Sequence, residues 1–325
     1  MRAIVVREFG GKPELADMPV PEVGPGQIQI QIEAAGVNPF DKRIIDGFLD
    51  GKLPHDFPLI PGTDGAGTIT AVGSGVNDFE IGERVVGKFL IPPVGHGTFA
   101  EYIVVPRDSA IAKLPDEVTA IRAAALPTAG ITALDLMHAA GVRGGQKMLI
   151  VGASGGVGSY LVQLGALAGA HVIATARPDD TDRMIRLGAT EVVNYGRIAV
   201  TDSPTHAESS ELSIADSVRI TDPGGIDVVF DLVSPPTVFA DNASLVKAGG
   251  AAYSTIWSAD EDDLKARGLQ GGNLESHGGA TELRELLRLV GNGDLMVPIR
   301  NMPPLAEAAD VIGAPGARGK TVLVI

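Results

Sequence analysis

The chain has 325 residues, enough for two domains, with 45% apolar residues and no continuous apolar stretch long enough to cross a bilayer. Its formal net charge of -14 argues against general nucleic-acid binding, which needs clustered lysine and arginine, and favours solubility. Zero cysteines exclude disulfides, thiolate nucleophiles and cysteine-based metal sites, and six scattered histidines do not replace them.

The N-terminal MRAIVVREFGG reads as a strand and not as a signal peptide, so the expected location is cytoplasmic, with no membrane partner. Residues 3–6, 27–33, 67–73 and 83–88 read as short strands between glycine- and proline-rich turns. Residues 27–32, QIQIQI, alternate with the period of a half-buried strand. Residues 1–119 are expected to form a β-rich domain built as a partly open antiparallel barrel.

Two loops in this region carry polar side chains. In AAGVNPFDKRIIDG, residues 34–47, Pro39 forces Asn38 into an extended conformation and presents its amide. PGTDGAG, residues 61–67, holds Thr63 and Asp64. Turn chemistry alone explains both loops equally well. Residues 120–140 are alanine-rich and helical, with breaks expected at Pro127 and Gly130. Thr128 lies in this segment. His138 has no partner legible in the sequence.

The stretch around which the chain is organised is KMLIVGASGGVGS, residues 147–159. Residues 148–151 are a short apolar run suited to a strand covered on both faces. Ser154, Gly155, Gly156, Val157 and Gly158 follow as a glycine-rich turn that lets a pyrophosphate approach the backbone at a helix N-terminus. Ala153 occupies the first position of the fingerprint, so the pattern is AxGxxG. Val157, Leu161, Leu164 and Ala168 form the buried stripe of the helix. Residues 171–175 form the next strand, completing a βαβ unit and the expectation of dinucleotide binding.

After that strand comes Arg177, where an acidic residue would select a free ribose 2′-hydroxyl. A guanidinium suits a 2′-phosphate, so the expected cofactor is NADPH. A solvated surface arginine is the plain alternative, with Asp179, Asp180 and Asp182 near enough in sequence to neutralise it. Residues 181–187 read as a short helix and 191–194 as a third strand, followed by Tyr195. Residues 197–222 are polar and acidic, with one helix expected near 214–220 after a mobile loop.

Residues 227–233, DVVFDLV, and 249–256 read as further parallel strands, which puts Val233, Ser234, Ser254 and Thr255 at their carboxyl ends, where ligands bind in such sheets. Asp231 is equally suited to a structural role. Residues 281–290 are an amphipathic helix. Residues 298–325 return to the first domain, with a helix at 305–312, a strand at 321–325, and Arg318 and Lys320 as the last basic pair. The expected domains are therefore 1–119 with 278–325, and 120–277.

The ordered series GVNPFD, PGTDGAGTITAVG, GTFAEY, ALPTAGITALDLM, VGASGGVG, GGIDVVFDLV and GKTVLVI resembles the medium-chain dehydrogenase/reductase superfamily over nearly the whole chain, and within it the zinc-free quinone oxidoreductase branch. The zinc-dependent members carry Gly-His-Glu where this chain has Gly62-Thr63-Asp64, together with a cysteine quartet that is missing here. The resemblance implies an α/β fold: a doubly wound parallel Rossmann sheet plus a GroES-like β domain. It implies hydride transfer from NADPH to a quinone or an α,β-unsaturated carbonyl, with Asn38, Thr63 and Thr128 as candidate donors to the substrate carbonyl and no protein-borne proton donor evident.

It also places Thr128 near the nicotinamide, and Tyr195 and Arg318 near the cofactor phosphate. A strand near 273–276 would pair between subunits as a homodimer. Related reductases often carry tyrosine where this chain has Arg43, which leaves the substrate open. An alkenal or enoyl-thioester reductase is the neighbouring alternative, and a noncatalytic NADPH-binding sensor the alternative of another class.

Overall fold

The computed structural model describes residues 1–195, 213–314 and 318–325. The expected polar loop before residue 213 lies outside the described residues. Two compact units are present, one formed by Met1–Ile131 with Gly278–Ile325 and the other by Thr132–His277.

In the first unit the long strand Gln27–Val37 is the spine. Asp64–Val72 pairs antiparallel along one edge, while Tyr102–Pro106 and Lys320–Val324 share the other, against its first and second halves. Arg84–Lys88, Ala110–Lys113 and Ile299–Asn301 complete a seven-stranded sheet. The QIQIQI alternation is realised directly: Ile28, Ile30 and Ile32 are buried, and the intervening glutamines face outward to varying degrees. Their core also includes Val85, Phe99, Ile103 and Leu323.

The second unit is a parallel sheet of six strands. Its spatial order is Glu191–Asn194, His171–Ala176, Lys147–Val151, Ile226–Asp231, Val246–Ser254 and Gln270–Asn273. The chain winds outward from Lys147–Val151 in both directions, so the carboxyl ends of that strand and of Ile226–Asp231 flank the switch point where ligands settle in sheets of this kind. Leu149, Val151, Ile173, Val229 and Ala252 are buried, as strands covered on both faces require.

Several expectations shift. Gly130 does not break its helix: Pro127–Ala140 is continuous, with Leu286 packed where a Cβ at Gly130 would sit. The first unit extends past residue 119 because the helix Ala120–Ala124 packs on its strands, with the Ala124 carbonyl lying 2.2 Å from a Cβ built at Gly36. The last strand of the parallel sheet is Gln270–Asn273, not residues 273–276. Asn273 ends it because its side-chain amide is drawn to the backbone of Ala259, donating to the carbonyl at 2.9 Å and accepting from the amide at 3.0 Å.

Candidate functional site

The first unit carries a buried polar cluster. Pro39 opens the helix Pro39–Ile45 and Asn38 is extended as expected, with φ -129° and ψ 151°. Asp41, in the first turn, accepts the Asn38 amide at 2.7 Å, and the amide and hydroxyl of Thr63 at 3.1 and 3.2 Å. Asp64 accepts the Asn38 side-chain amide at 2.9 Å, the Thr128 hydroxyl at 2.6 Å and the Thr128 amide at 3.0 and 3.1 Å. Lys320, from the closing strand, donates to the Val37 backbone carbonyl at 3.0 Å and the Asn38 side-chain Oδ1 at 2.5 Å, and its ammonium lies 4.0 Å from Asp64.

Asp41 and Asp64 are fully buried and Lys320 is nearly so. Burial and the neighbouring Asp64 charge push the Asp41 carboxyl up to about 7, against the pull of the Asn38 amide, Lys320 and Thr63. Burial lowers the Lys320 ammonium, against the attraction of Asp64 and Asp41.

Asn38, Thr63 and Thr128 are thus brought together, but not as donors aimed at a ligand. The Thr63 hydroxyl is buried and turned to Asp41, and the Thr128 proton is turned to Asp64, so neither is free to polarise a substrate carbonyl. Asn38 is closed off and bridges the opposite charges of Asp64 and Lys320. Only Thr128 is partly exposed. A cavity of about 20 Å³ beside Thr63, lined also by Ile44, Gly62 and Phe89, has room for a water but not for a ring. Arg43 stacks on Phe48 at 3.6 Å, with Lys52 over the same ring at 4.0 Å.

The second unit carries the glycine turn. Lys147–Val151 runs into Gly152, whose φ of 87° reverses the chain, and the helix Gly156–Leu167 starts at once. At Gly158 a Cβ would meet the Gly152 carbonyl at 2.3 Å, so glycine is required for helix and strand to approach. At Gly155 a Cβ would meet only that same oxygen, at 3.4 Å, which leaves the mouth of the turn open. The first-turn amides have no intrahelical acceptor, and the buried Ser154 hydroxyl has no hydrogen-bond partner. This orphaned hydroxyl beside free amides fits an anion such as a pyrophosphate.

Arg177 sits at the end of His171–Ala176, exposed, with no ion pair among the described residues. Of the three aspartates that could neutralise it, Asp180 is engaged elsewhere. Asp180 instead takes a two-pronged bond from Arg183 at 2.7 Å on each oxygen, and Arg183 also donates to the Ser154 carbonyl at 2.8 Å and the Ser159 hydroxyl at 3.1 Å. Sequence reasoning missed Arg183; its spacing from Asp180, one helical turn, was the available signal.

Tyr195 is exposed beside Arg177 at the end of the adjoining strand, its amide bonded to the Ala176 carbonyl. Val233 is exposed in a turn held by Asp231, whose carboxylate accepts the amides of Val233 and Ser234 at 3.2 and 2.9 Å. Ser254 is fully buried, and its hydroxyl accepts the amides of Ile256 and Ser258. Arg318 is partly exposed in the first unit, beside the chain end. Among the described residues no three histidine, aspartate or glutamate side chains converge as metal ligands, and no helix is long and apolar enough to cross a membrane.

Residues 24–116 match the family described as alcohol dehydrogenase GroES-like domain, and residues 156–282 match zinc-binding dehydrogenase. A protein named chloroplast envelope quinone oxidoreductase homolog from Arabidopsis thaliana is 41% identical over 60% of this chain, a match that spans 61% of that protein. A quinone oxidoreductase from Lama guanicoe is 34% identical over 77% of this chain and 71% of its own length. The solved structure of a quinone oxidoreductase from Coxiella burnetii covers 100% of this chain and 99% of its own, at 28% identity and a TM-score of 0.82.

Proposed function

This chain belongs to the medium-chain dehydrogenase/reductase superfamily, in its quinone oxidoreductase branch, and from that premise we propose that it is an oxidoreductase reducing a quinone or an α,β-unsaturated carbonyl at the expense of NADPH. The observation that carries the cofactor choice is Arg177, exposed and with no ion pair among the described residues, at the end of the strand next to the glycine turn. Its guanidinium would hold a 2′-phosphate by charge-assisted bonds. The helix amides and the Ser154 hydroxyl would hold the pyrophosphate. When bound, the dinucleotide supplies the hydride.

The residues of the chain itself orient and exclude. Asp231 fixes the turn that carries Val233, and Arg183 fixes the back of the glycine turn. Asn38, Asp41, Asp64 and Lys320 hold Thr128 in place, so these are positioning residues, and Thr128 is the partly exposed member of the group. A homodimer through the edge strand Gln270–Asn273 is part of the proposal.

One observation favours a noncatalytic NADPH-binding sensor as the second reading: the hydroxyl protons of Thr63 and Thr128 are already committed to aspartates. The deciding experiment follows NADPH oxidation against phenanthrenequinone and a hexenal, with NADH as control. Turnover with NADPH preferred supports the enzyme, the better acceptor naming its substrate class; NADPH binding without turnover across both acceptors supports the sensor.

A further inference from the structure

Trp257, the single tryptophan of the chain, follows the strand Val246–Ser254, is 59% exposed and has φ 64°. It is the one described non-glycine residue with positive φ. For a bulky side chain this region is strained and persists only where the surroundings impose it. They do so here. The Ser254 hydroxyl accepts the amides of Ile256 at 3.2 Å and Ser258 at 3.3 Å, the Ser258 hydroxyl donates to the Ser234 carbonyl at 2.6 Å, and the Ala259 amide donates to Asn273 at 3.0 Å. These bonds hold a strained turn whose outcome is an indole facing water.

The place is specific. The Ser258 bond ties this turn to the one carrying Val233, and Val233 packs so close to Gly152 that a Cβ there would lie 2.9 Å from its methyl group. Val233 and Ile256 are exposed apolar residues of these two turns, at 60% and 43%. Arg177 and Tyr195 occupy the opposite side of the glycine turn, at the ends of His171–Ala176 and Glu191–Asn194. From His171–Ala176 to Val246–Ser254 is three strand spacings, about 14 Å, the reach of an extended dinucleotide. If the adenosine phosphate lies on Arg177 and the pyrophosphate on the helix, the other ring ends over Trp257.

We propose that Trp257 is an aromatic platform on which the nicotinamide ring lies. This rests on the dinucleotide reading above. In its oxidised form the ring is flat, electron-poor and cationic, the form an indole face attracts most strongly. Backbone strain at Trp257 is then what a ready-made stacking surface costs.

Because Trp257 is the sole tryptophan, its emission reports this site alone. The full chain is titrated with NADP+, whose absorption does not overlap indole emission, and with adenosine 2′,5′-bisphosphate, which has the phosphate-bearing half but no nicotinamide. Calorimetry measures binding of both in parallel. NADP+ is expected to remove most of the emission and the bisphosphate to leave it. Calorimetric binding of NADP+ with unchanged emission, or equal quenching by the bisphosphate, overturns the proposal; absence of calorimetric binding by either ligand overturns the dinucleotide reading and this one with it.

Trp257→Gly separates contact from folding, since glycine adopts this φ without strain. The variant is expected to melt no lower than the parent, to lose about tenfold in NADP+ affinity and to bind the bisphosphate unchanged, while Trp257→Phe stays within about threefold for both. A Trp257→Gly chain that binds NADP+ as tightly as the parent overturns the proposal.

Discussion

Lys320 and Asp64 face each other across 4.0 Å with both side chains closed off from water. Neither charge is solvated, so each is tolerable only because the other is present and Asn38 bridges them. Removing one partner leaves a buried charge uncompensated, which costs about 3 kcal/mol. Lys320→Met is therefore expected to unfold at markedly lower urea concentration, and Lys320→Met with Asp64→Asn to cost less than the sum of the two single changes.

The Asp41 carboxyl, raised to about 7 when folded, gives a pH signature. Its ordinary value lies near 4, so between about pH 4 and pH 7 the unfolded chain has lost this proton while the folded chain keeps it. The unfolded state then binds fewer protons and stability falls as pH rises, by a few kcal/mol at most from this group. Subtracting the stability–pH curve of Asp41→Asn from that of the parent should leave a decline confined to this window; a flat difference contradicts it.

Two glycines in the turn are expected to fail differently. Gly158→Ala places a methyl group 2.3 Å from the Gly152 carbonyl and should cost about 2 kcal/mol or more in stability. Gly155→Ala has no contact closer than 3.4 Å and should melt near the parent while losing dinucleotide affinity, because its methyl group fills the open mouth. Thermal melting and calorimetry on both variants check the contrast.

Arg177 makes no ion pair among the described residues, so Arg177→Asp should leave stability within about 0.5 kcal/mol. It replaces a phosphate-binding cation with a carboxylate that repels phosphate and accepts ribose hydroxyls. NADPH affinity is expected to fall about tenfold or more, and NADH affinity to hold or rise. Equal loss for both cofactors would remove Arg177 from the cofactor choice.

Arg183→Gln takes away the two-pronged bond to buried Asp180 and the tie to the Ser154 carbonyl. A loss of about 2 kcal/mol is expected, along with weakened binding of pyrophosphate-containing ligands. Lysine at this position should restore charge but not the two-pronged geometry, giving an intermediate result.

What could be read from the sequence alone was the periodic and the contiguous. QIQIQI announced its buried isoleucines, residues 148–151 their covered strand, and the glycines of residues 155–158 a close approach of helix and strand, because each pattern acts on its own neighbours. Family resemblance supplied the fold and the sheet type. The ends of elements were less legible: Gly130 was expected to break a helix that continues, since packing under Leu286 outweighs intrinsic preference.

The roles of polar side chains were decided by tertiary structure. Asn38 and Lys320 stand 282 positions apart and meet only because the closing strand pairs with the second half of the Gln27–Val37 strand. That meeting turns Asn38, Thr63 and Thr128 from outward donors into members of a buried network. Whether a hydroxyl donates to a ligand or to a buried carboxylate depends on which charges the fold brings beside it, and desolvation settles that choice only once the chain has closed.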